Sequence, residues 1–446
     1  VFYDSNGELD SVFYSEYGEY DMASSGIVTP SGAKSKLALG LQTNWATAAV
    51  GTHIAEYRSG GAQANRINVY SQALRDTPSQ KIKGQVSDFE ATGSVVVELT
   101  PEGTLPLLLT ALFGAPTTTT YYADITGTPT TWAVGTTYAE DAKVLRKGYY
   151  YTSVAGGNVG NDPACTDQIA WTPVPDVTSG ITASLRSYRH VWKHKWDTKF
   201  VSMHQLKGST VEAFVRGLVT GFNIGVSRGA RDIITGSFDV RFANSFIAET
   251  FDDVIEPGAG YDTLPPWSAS KGKVTVNGVV GGSFREFNAA VSRQITDRLV
   301  LNGKIGPDGF NNNGSDTSGS LNAYFDTEAM LYAFMGYASA YTKPAGFTGL
   351  LVYNDVVCSL AYDTPGSGGS PLNYDSKLVV RFPHCLFGSV SQPIAGREEI
   401  MQSITLEPCL DPTEDCDVIF EVWNRQANAS ILTAGSALTV PCSDVE

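Results

Sequence analysis

The histidines at positions 190 and 194 raise the first chemical question. The run HVWKH sets two imidazoles four residues apart, the spacing at which a helix offers both to one zinc ion. Val191 occupies the place of the general-base glutamate of that motif, and no helix is expected around it. In a strand, residues four apart stand ~13 Å apart, too far to share a metal. The surrounding SLRSYRHVWKHKWDTKFVSMH is the most basic part of the chain and reads as a solvated strand face, or else as a patch for a partner. The acidic DPTEDCD, residues 411–417, lacks the spaced oxygens and central glycine of a calcium loop and reads as a solvated turn. The six cysteines, at 165, 358, 385, 409, 416 and 442, form no C-x-x-C pair. They read as buried free thiols, the alternative being a few late disulfides with Cys409 and Cys416 as the nearest pair. No phosphate loop, nucleophile elbow or Cys/His pairing occurs, so neither an enzyme nor a cofactor or metal is expected.

A second set of residues is aromatic. Between residues 117 and 178 the texture changes to threonine, glycine and rings, and Trp132, Tyr138, Val144, Tyr149, Tyr150, Pro163 and Trp171 follow in order. The pattern resembles the small aromatic module of type 5/12 carbohydrate-binding domains, which implies rings that stack on sugar. The residues themselves favour another use: a module this small has little besides Trp132, Tyr138, Tyr150 and Trp171 from which to build a core.

Composition limits what these residues serve. The chain has 446 residues, 42% hydrophobic and only 17% charged, with Gly, Thr, Ser, Tyr and Val plentiful. This is a chain of strands and turns, long enough for two or three domains. The net charge of −15 argues against a direct nucleic-acid binder. It suits a surface that nucleic acid must pass without sticking. The greasiest run, Leu105 to Ala115, is far short of the ~20 residues of a membrane helix, and no membrane association is expected.

The elements are organised as a duplication. TGSVVVEL alternates, with Val95, Val97 and Leu99 on one face and Ser94, Val96 and Glu98 on the other. After the TPEG turn, Thr104 reads as the cap of a short apolar helix that Gly114 ends. SGSLNAYFDTEAMLYAFMG repeats the phrase: Leu321, Ala323 and Phe325 replace the first set, Ser320 and Asn322 lie opposite, Asp326 takes the cap and Gly336 the stop. NAAVSRQITDRLVLNGKIG similarly matches NVYSQALRDTPSQKIKGQVS, and GREEIMQSITLEP matches GARDIITGSFDVRFA. The division expected is an N-terminal arm over 1–34, a first domain over 35–256 interrupted by the module at 117–178, and a second over 257–446. The arm holds a short repeat of its own, VFYDSNGELDS followed by VFYSEYGEYDM, and serves as a surface hairpin or docks on a neighbour.

Gln42-Thr43-Asn44-Trp45-Ala46-Thr47, followed by TGSVVVEL and LPLLLTALFG, resembles the major tail tube proteins of long, flexible-tailed bacteriophages, with Ala46 at a usual glycine. The likeness covers roughly residues 35–116 and 179–425. It implies a mainly β fold of two tandem β-sandwich or partial-barrel domains, each with a flanking short helix. It also implies a homo-oligomer: trimers whose six similar domains form a pseudo-sixfold ring, with rings stacked into a tube. The tube is assembled in the host cytoplasm, meets tape measure, terminator and distal tail proteins, and passes genomic DNA without specific binding. On that expectation Val95, Val97, Leu99, Leu321, Ala323 and Phe325 pack the core, and Ser94, Glu98, Ser320 and Asn322 face the lumen. The alternatives are another virion β-protein, such as a terminator, baseplate or decoration protein, or a carbohydrate-binding adhesin.

Overall fold

The computed structural model describes residues 2–3, 9–11, 35–70, 84–122, 130–140, 142–146, 149–163, 170–173, 186–228, 233–262, 264–278, 284–301, 305–324, 331, 334, 351–363, 375–392, 400–424 and 426–438. The fold is mainly β and antiparallel. In chain order the first strands are β1 (Phe2–Tyr3), β2 (Leu9–Ser11), β3 (Lys36–Leu41), β4 (His53–Ile54), β5 (Tyr57–Tyr70) and β6 (Gly84–Glu98). Helix α1 (Thr104–Phe113) and β7 (Thr117–Tyr122) lead into β8 (Thr130–Thr131), β9 (Lys143–Arg146), β10 (Tyr149–Ser153) and β11 (Trp171–Pro173). The chain returns through β12 (Arg186–Lys193), β13 (Val201–Lys207), β14 (Thr210–Ser227) and β15 (Thr235–Ala248). It ends with β16 (Lys273–Val276), β17 (Phe284–Arg298), β18 (Gly309–Tyr324), β19 (Asn354–Asp363), β20 (Asp375–Ser391), β21 (Met401–Pro408) and β22 (Ile419–Asn424).

The strand order shows the duplication directly. The first half pairs as β3–β13–β14–β15–β6–β5, and the second as β16–β19–β20–β21–β18–β17. Three register irregularities recur at matching places. They are Tyr57/Ser59 with Phe284/Glu286, Val201/Met203 with Asn354/Val356, and Val219/Gly221 with Phe387/Ser389. Bulges bend a strand and pin its register, so their recurrence makes residue equivalence unambiguous. Ser94 pairs with Gly61 and Asp239, whereas Ser320 pairs with Asn288 and Thr405. Asn288 therefore stands where Gly61 does, not where Asn68 does, and the sequence match of NAAVSRQ to NVYSQAL is out of register. Asn68 and Asn288 are both exposed, and on a solvated face composition repeats without fixing register.

The two units are one sheet. β14 pairs with β17 over Gly221–Ser227 and Glu286–Ser292, and one hydrophobic cluster runs through both halves. Val95, Val97, Leu99 and Leu321 are buried in it, Ala323 is buried as well, and Phe325 lies outside the described residues. All ten residues of α1 are buried, as an all-round apolar helix requires. Leu331 and Phe334 are helical at the matching place of the second unit, and the rest of that helix, Asp326 and Gly336 included, lies outside the described residues. So does most of the N-terminal arm, of which β1 and β2 form an antiparallel pair. In the tryptophan phrase, Gln42 Nε2 donates to Ser202 Oγ (2.6 Å) and Trp45 packs edge-on against Phe200 and Phe310.

The cap of α1 differs from expectation. Thr104 is the first helical residue and not the residue that precedes the helix, which is Gly103 at φ 69°. The capping acceptor comes from far along the chain: Asp262 Oδ2 receives Thr100 Oγ1 (2.5 Å) and Thr104 N (3.4 Å). A Cβ at Gly103 would sit 1.7 Å from Asp262 Oδ1, so only glycine admits this carboxyl. Burial pushes the Asp262 carboxyl up to about 6, against the hydrogen bonds from Thr100 and Thr104, which favour its charged form. An unfolded chain titrates it near 3.8. The native state thus holds the proton more tightly; the stabilisation is complete below that value and is lost as pH rises through about 6. Asp262→Asn should remove this loss, so that the variant gains ~1–3 kcal/mol on wild type between pH 4 and pH 7. Urea denaturation of both proteins at the two pH values checks it; a constant difference rejects it.

Candidate functional site

The sheet has one face in the core and one in water, and the exposed face is polar along its whole width. Ser94, Asp239, Asn223 and Asn288 are exposed on it, with Glu98, Ser320 and Asn322 half-buried. Its side chains are tied laterally: Arg58 to Glu98 (2.9 Å), Asn288 Nδ2 to Ser320 Oγ (3.2 Å), Asn322 Nδ2 to Glu286 Oε2 (2.7 Å), and Ser389 to Thr405 (2.8 Å). Arg241 is matched by Asp297 (2.7 Å) and Glu90 (3.5 Å). The four residues assigned to a lumen from sequence thus lie on one surface of serines, asparagines and carboxylates, with its arginines bonded to acids.

Among the described residues, two of the open strand edges are equivalent to strands that are paired inside the chain. β5 pairs with β6 alone, and Gln63, Ala64 and Asn65 are exposed. At the far end of the second unit, Ser389–Ser391 pairs with β21 on one side and with no strand on the other among the described residues. These edges are the equivalents of the two strands that meet inside the chain. Ser389–Ser391 matches Gly221–Asn223 of β14, and Gln63–Asn65 matches Ala290–Ser292 of β17. Open edges of this kind are templates for strand addition.

Arg293 carries the internal junction further. Its Nη2 donates to the carbonyls of Leu112, at the end of α1, and of Lys195 (3.0 Å). A cation at a helix C-terminus is favoured by the helix dipole. Burial lowers the guanidinium to about 10, with Asp197 opposing. By register its equivalent in the first unit is Arg66, opposite Phe89 as Arg293 is opposite Ser315. Arg66 is exposed and makes no hydrogen bond or ion pair among the described residues.

The basic run is solvated on one face of its strand, where Arg189 and Lys193 are partly exposed, and buried on the other. β12 lies between β22 and β7, and His190 and Trp192 are buried. β22 comes from more than two hundred residues later, so nothing local announced this burial. His190 bonds Thr118, Asn424 and the carbonyl of Gln426, and burial lowers it to about 4. The acidic loop is a turn with Pro412, Thr413 and Asp415 exposed, tied down through Asp411 and Glu414. Asp411 Oδ1 accepts from the amides of Thr413 and Glu414, while Glu414 binds Lys193 (2.8 Å) and Arg381 (3.2 Å). Among the described residues no group of three or more His, Cys, Asp and Glu could hold a metal.

One constellation was invisible in the sequence. Ser315 Oγ lies 2.8 Å from His194 Nε2, and His194 Nδ1 lies 2.6 Å from Asp417 Oδ1, the relay of a nucleophile, base and acid. Its setting is structural. Ser315 lies within β18, Phe113 meets the imidazole edge-on at 5.7 Å, and the three side chains bind β18 and the acidic loop to the segment after β12. Cys358, Cys385, Cys409 and Cys416 are free, and burial pushes Cys358 and Cys385 up to about 12 and Cys416 to about 11. Those three thiols are thereby unreactive, while Cys409 is only partly covered.

The module's rings face inward. Tyr138, Val144, Tyr151 and Trp171 form its core, with Tyr138 edge-on to Trp171 at 5.2 Å. Trp171 Nε1 donates to Asn161 O (2.8 Å), and Trp132 is half-buried under the Arg146 guanidinium. Tyr150 belongs to β10. The faces of Tyr138 and Trp171 are thereby withdrawn from any sugar.

A family model described as phage tail tube protein matches residues 32–408, most of the chain. No curated protein matches it.

Proposed function

The chain belongs to the phage tail tube protein family, and on that premise we propose that three copies close into a pseudo-sixfold ring and that rings stack into the conduit for DNA ejection. Members of this family are structural components of the virion tail, and a β-rich scaffold with its functional groups on faces and edges suits that role. The observation that carries the ring is the β14–β17 junction between two equivalent units. A single chain makes this junction once and leaves its two halves unused at opposite ends of the sheet. Repetition of the same head-to-tail contact generates either a closed ring or an open filament. Closure after three chains supplies six equivalent places and pairs these two edges in every chain. The polar face then lines the lumen, where carboxylates and hydroxyls repel or release a polyanion.

Electron microscopy of the purified protein tests this reading. The expected particle is a long hollow tube with three chains per ring. A ring of six chains would remove the account of the duplication, and discrete, unstacked rings would favour a terminator or baseplate protein instead.

A further inference from the structure

We propose that the joint between neighbouring chains copies the internal junction residue by residue, with Ser389–Ser391 of one copy antiparallel to Gln63–Asn65 of the next; this rests on the ring reading above. The register follows from the internal pairs. Gly221 faces Ser292, Phe222 faces Val291 and Asn223 faces Ala290. Carried over by the recurrent bulges, these become Ser389 with Asn65, Val390 with Ala64, and Ser391 with Gln63.

Side-chain chemistry supports this register against its neighbours. Ser389, Ser391, Gln63 and Asn65 are exposed and would remain on the polar face. Val390 is already half-buried against the main core, and Ala64, exposed in the single chain, would be covered as its equivalent Val291 is. A slip of one residue would set Val390, which β21 holds toward the core, opposite Gln63 or Asn65, which face water, so that paired residues would point to different faces. The joint stops before Ala62, whose carbonyl already accepts from Gln205 Nε2 (3.0 Å). The occupant of each edge is therefore a second copy of this chain. The two edges are different surfaces, so the contact is heterologous and propagates, rather than pairing two copies off as an isologous dimer would.

Disulfide trapping tests the register. Residues directly opposite across a ladder have Cβ atoms ~4.5–5.5 Å apart, close to what a disulfide needs, while positions two residues off are ~7–8 Å apart. Assembled tubes of Gln63→Cys/Ser391→Cys, in a Cys409→Ser background, are oxidised mildly and run on a non-reducing gel. The expected result is a ladder ending at three chains, at least tenfold more abundant than from Asn65→Cys/Ser391→Cys. Tubes that form but cross-link only in the second variant, or in neither, overturn the joint and leave the ring reading standing. If the wild-type protein forms no rings or tubes, the ring reading fails and the joint with it. Should the double variant not assemble, amide exchange on wild-type tubes decides: residues 63–65 and 389–391 must become protected on assembly, and unchanged exchange there rejects the proposal.

Discussion

Arg66→Glu is expected to abolish tube formation while leaving the isolated chain folded. In the single chain Arg66 is exposed and without a hydrogen bond or ion pair among the described residues. Its replacement should therefore shift the unfolding free energy by no more than ~0.5 kcal/mol. In a ring its position is that of Arg293, which crosses from the second unit into the first and donates to Leu112 O and Lys195 O. Between chains the same contact runs from the first unit of one copy to the second unit of the next. There Phe334, the sequence counterpart of Leu112 and itself helical, is the expected acceptor. Glutamate would aim an anion at the negative end of a helix dipole and remove the donor from groups that water no longer reaches. Breaking a buried charged contact across an interface costs ~2–5 kcal/mol, or some thirty- to several-thousandfold in the concentration needed to assemble. Arg66→Lys keeps the charge but not the two-pronged geometry, and should assemble with an intermediate threshold. Sedimentation of the variants over a concentration series measures this. Wild-type thresholds for both would reject the role given to Arg66.

Local pattern exposed the repeating unit but not its register or its long-range ties. Period-two alternation separates Val95, Val97 and Leu99 from Ser94 and Glu98 because one face of the strand meets an apolar helix and the other meets water. The same contrast, with a helix of the same length behind it, made the second copy readable despite few shared residues. What failed depended on distant partners. The α1 cap is Asp262 rather than Thr104, because the chain returns there only after some hundred and sixty residues. The burial of His190 depends on β22, and the tying down of Glu414 depends on Lys193 and Arg381. Asn288 matched Asn68 in sequence alone because register is set by the bulges, and a bulge leaves little trace in composition. The Ser315–His194–Asp417 relay joins three separate segments, and no spacing within any one of them signals it.

Ser320→Lys should convert a tube that releases DNA into one that retains it. Ser320 lies half-buried on the polar face, opposite Asn288 and Thr405, neither of which is charged. A lysine there has no acid directly opposite, Glu286 and Glu407 being diagonal neighbours, and its charge is repeated in every chain of every stacked ring. Ser94→Lys is the matched control for local chemistry, because its cross-strand neighbour is Asp239, which would pair with the new ammonium and blunt it. Each phosphate neutralised steepens the dependence of binding on salt by ~0.9 in the log–log slope, so a lumen that engages 6–10 phosphates would hold duplex DNA at 50 mM salt ~10³–10⁵-fold more tightly than at 200 mM. The wild-type face, with Asp239, Glu98, Glu286 and Asp316 on it, should show no retention at either salt. Protection of DNA within purified tubes against nuclease reads the difference, and phage carrying Ser320→Lys should eject more slowly at low salt and recover at high salt. If Ser320→Lys tubes behave as wild type while remaining intact, the polar face does not line the lumen, and the carboxylates gathered on it serve the outside of the tube.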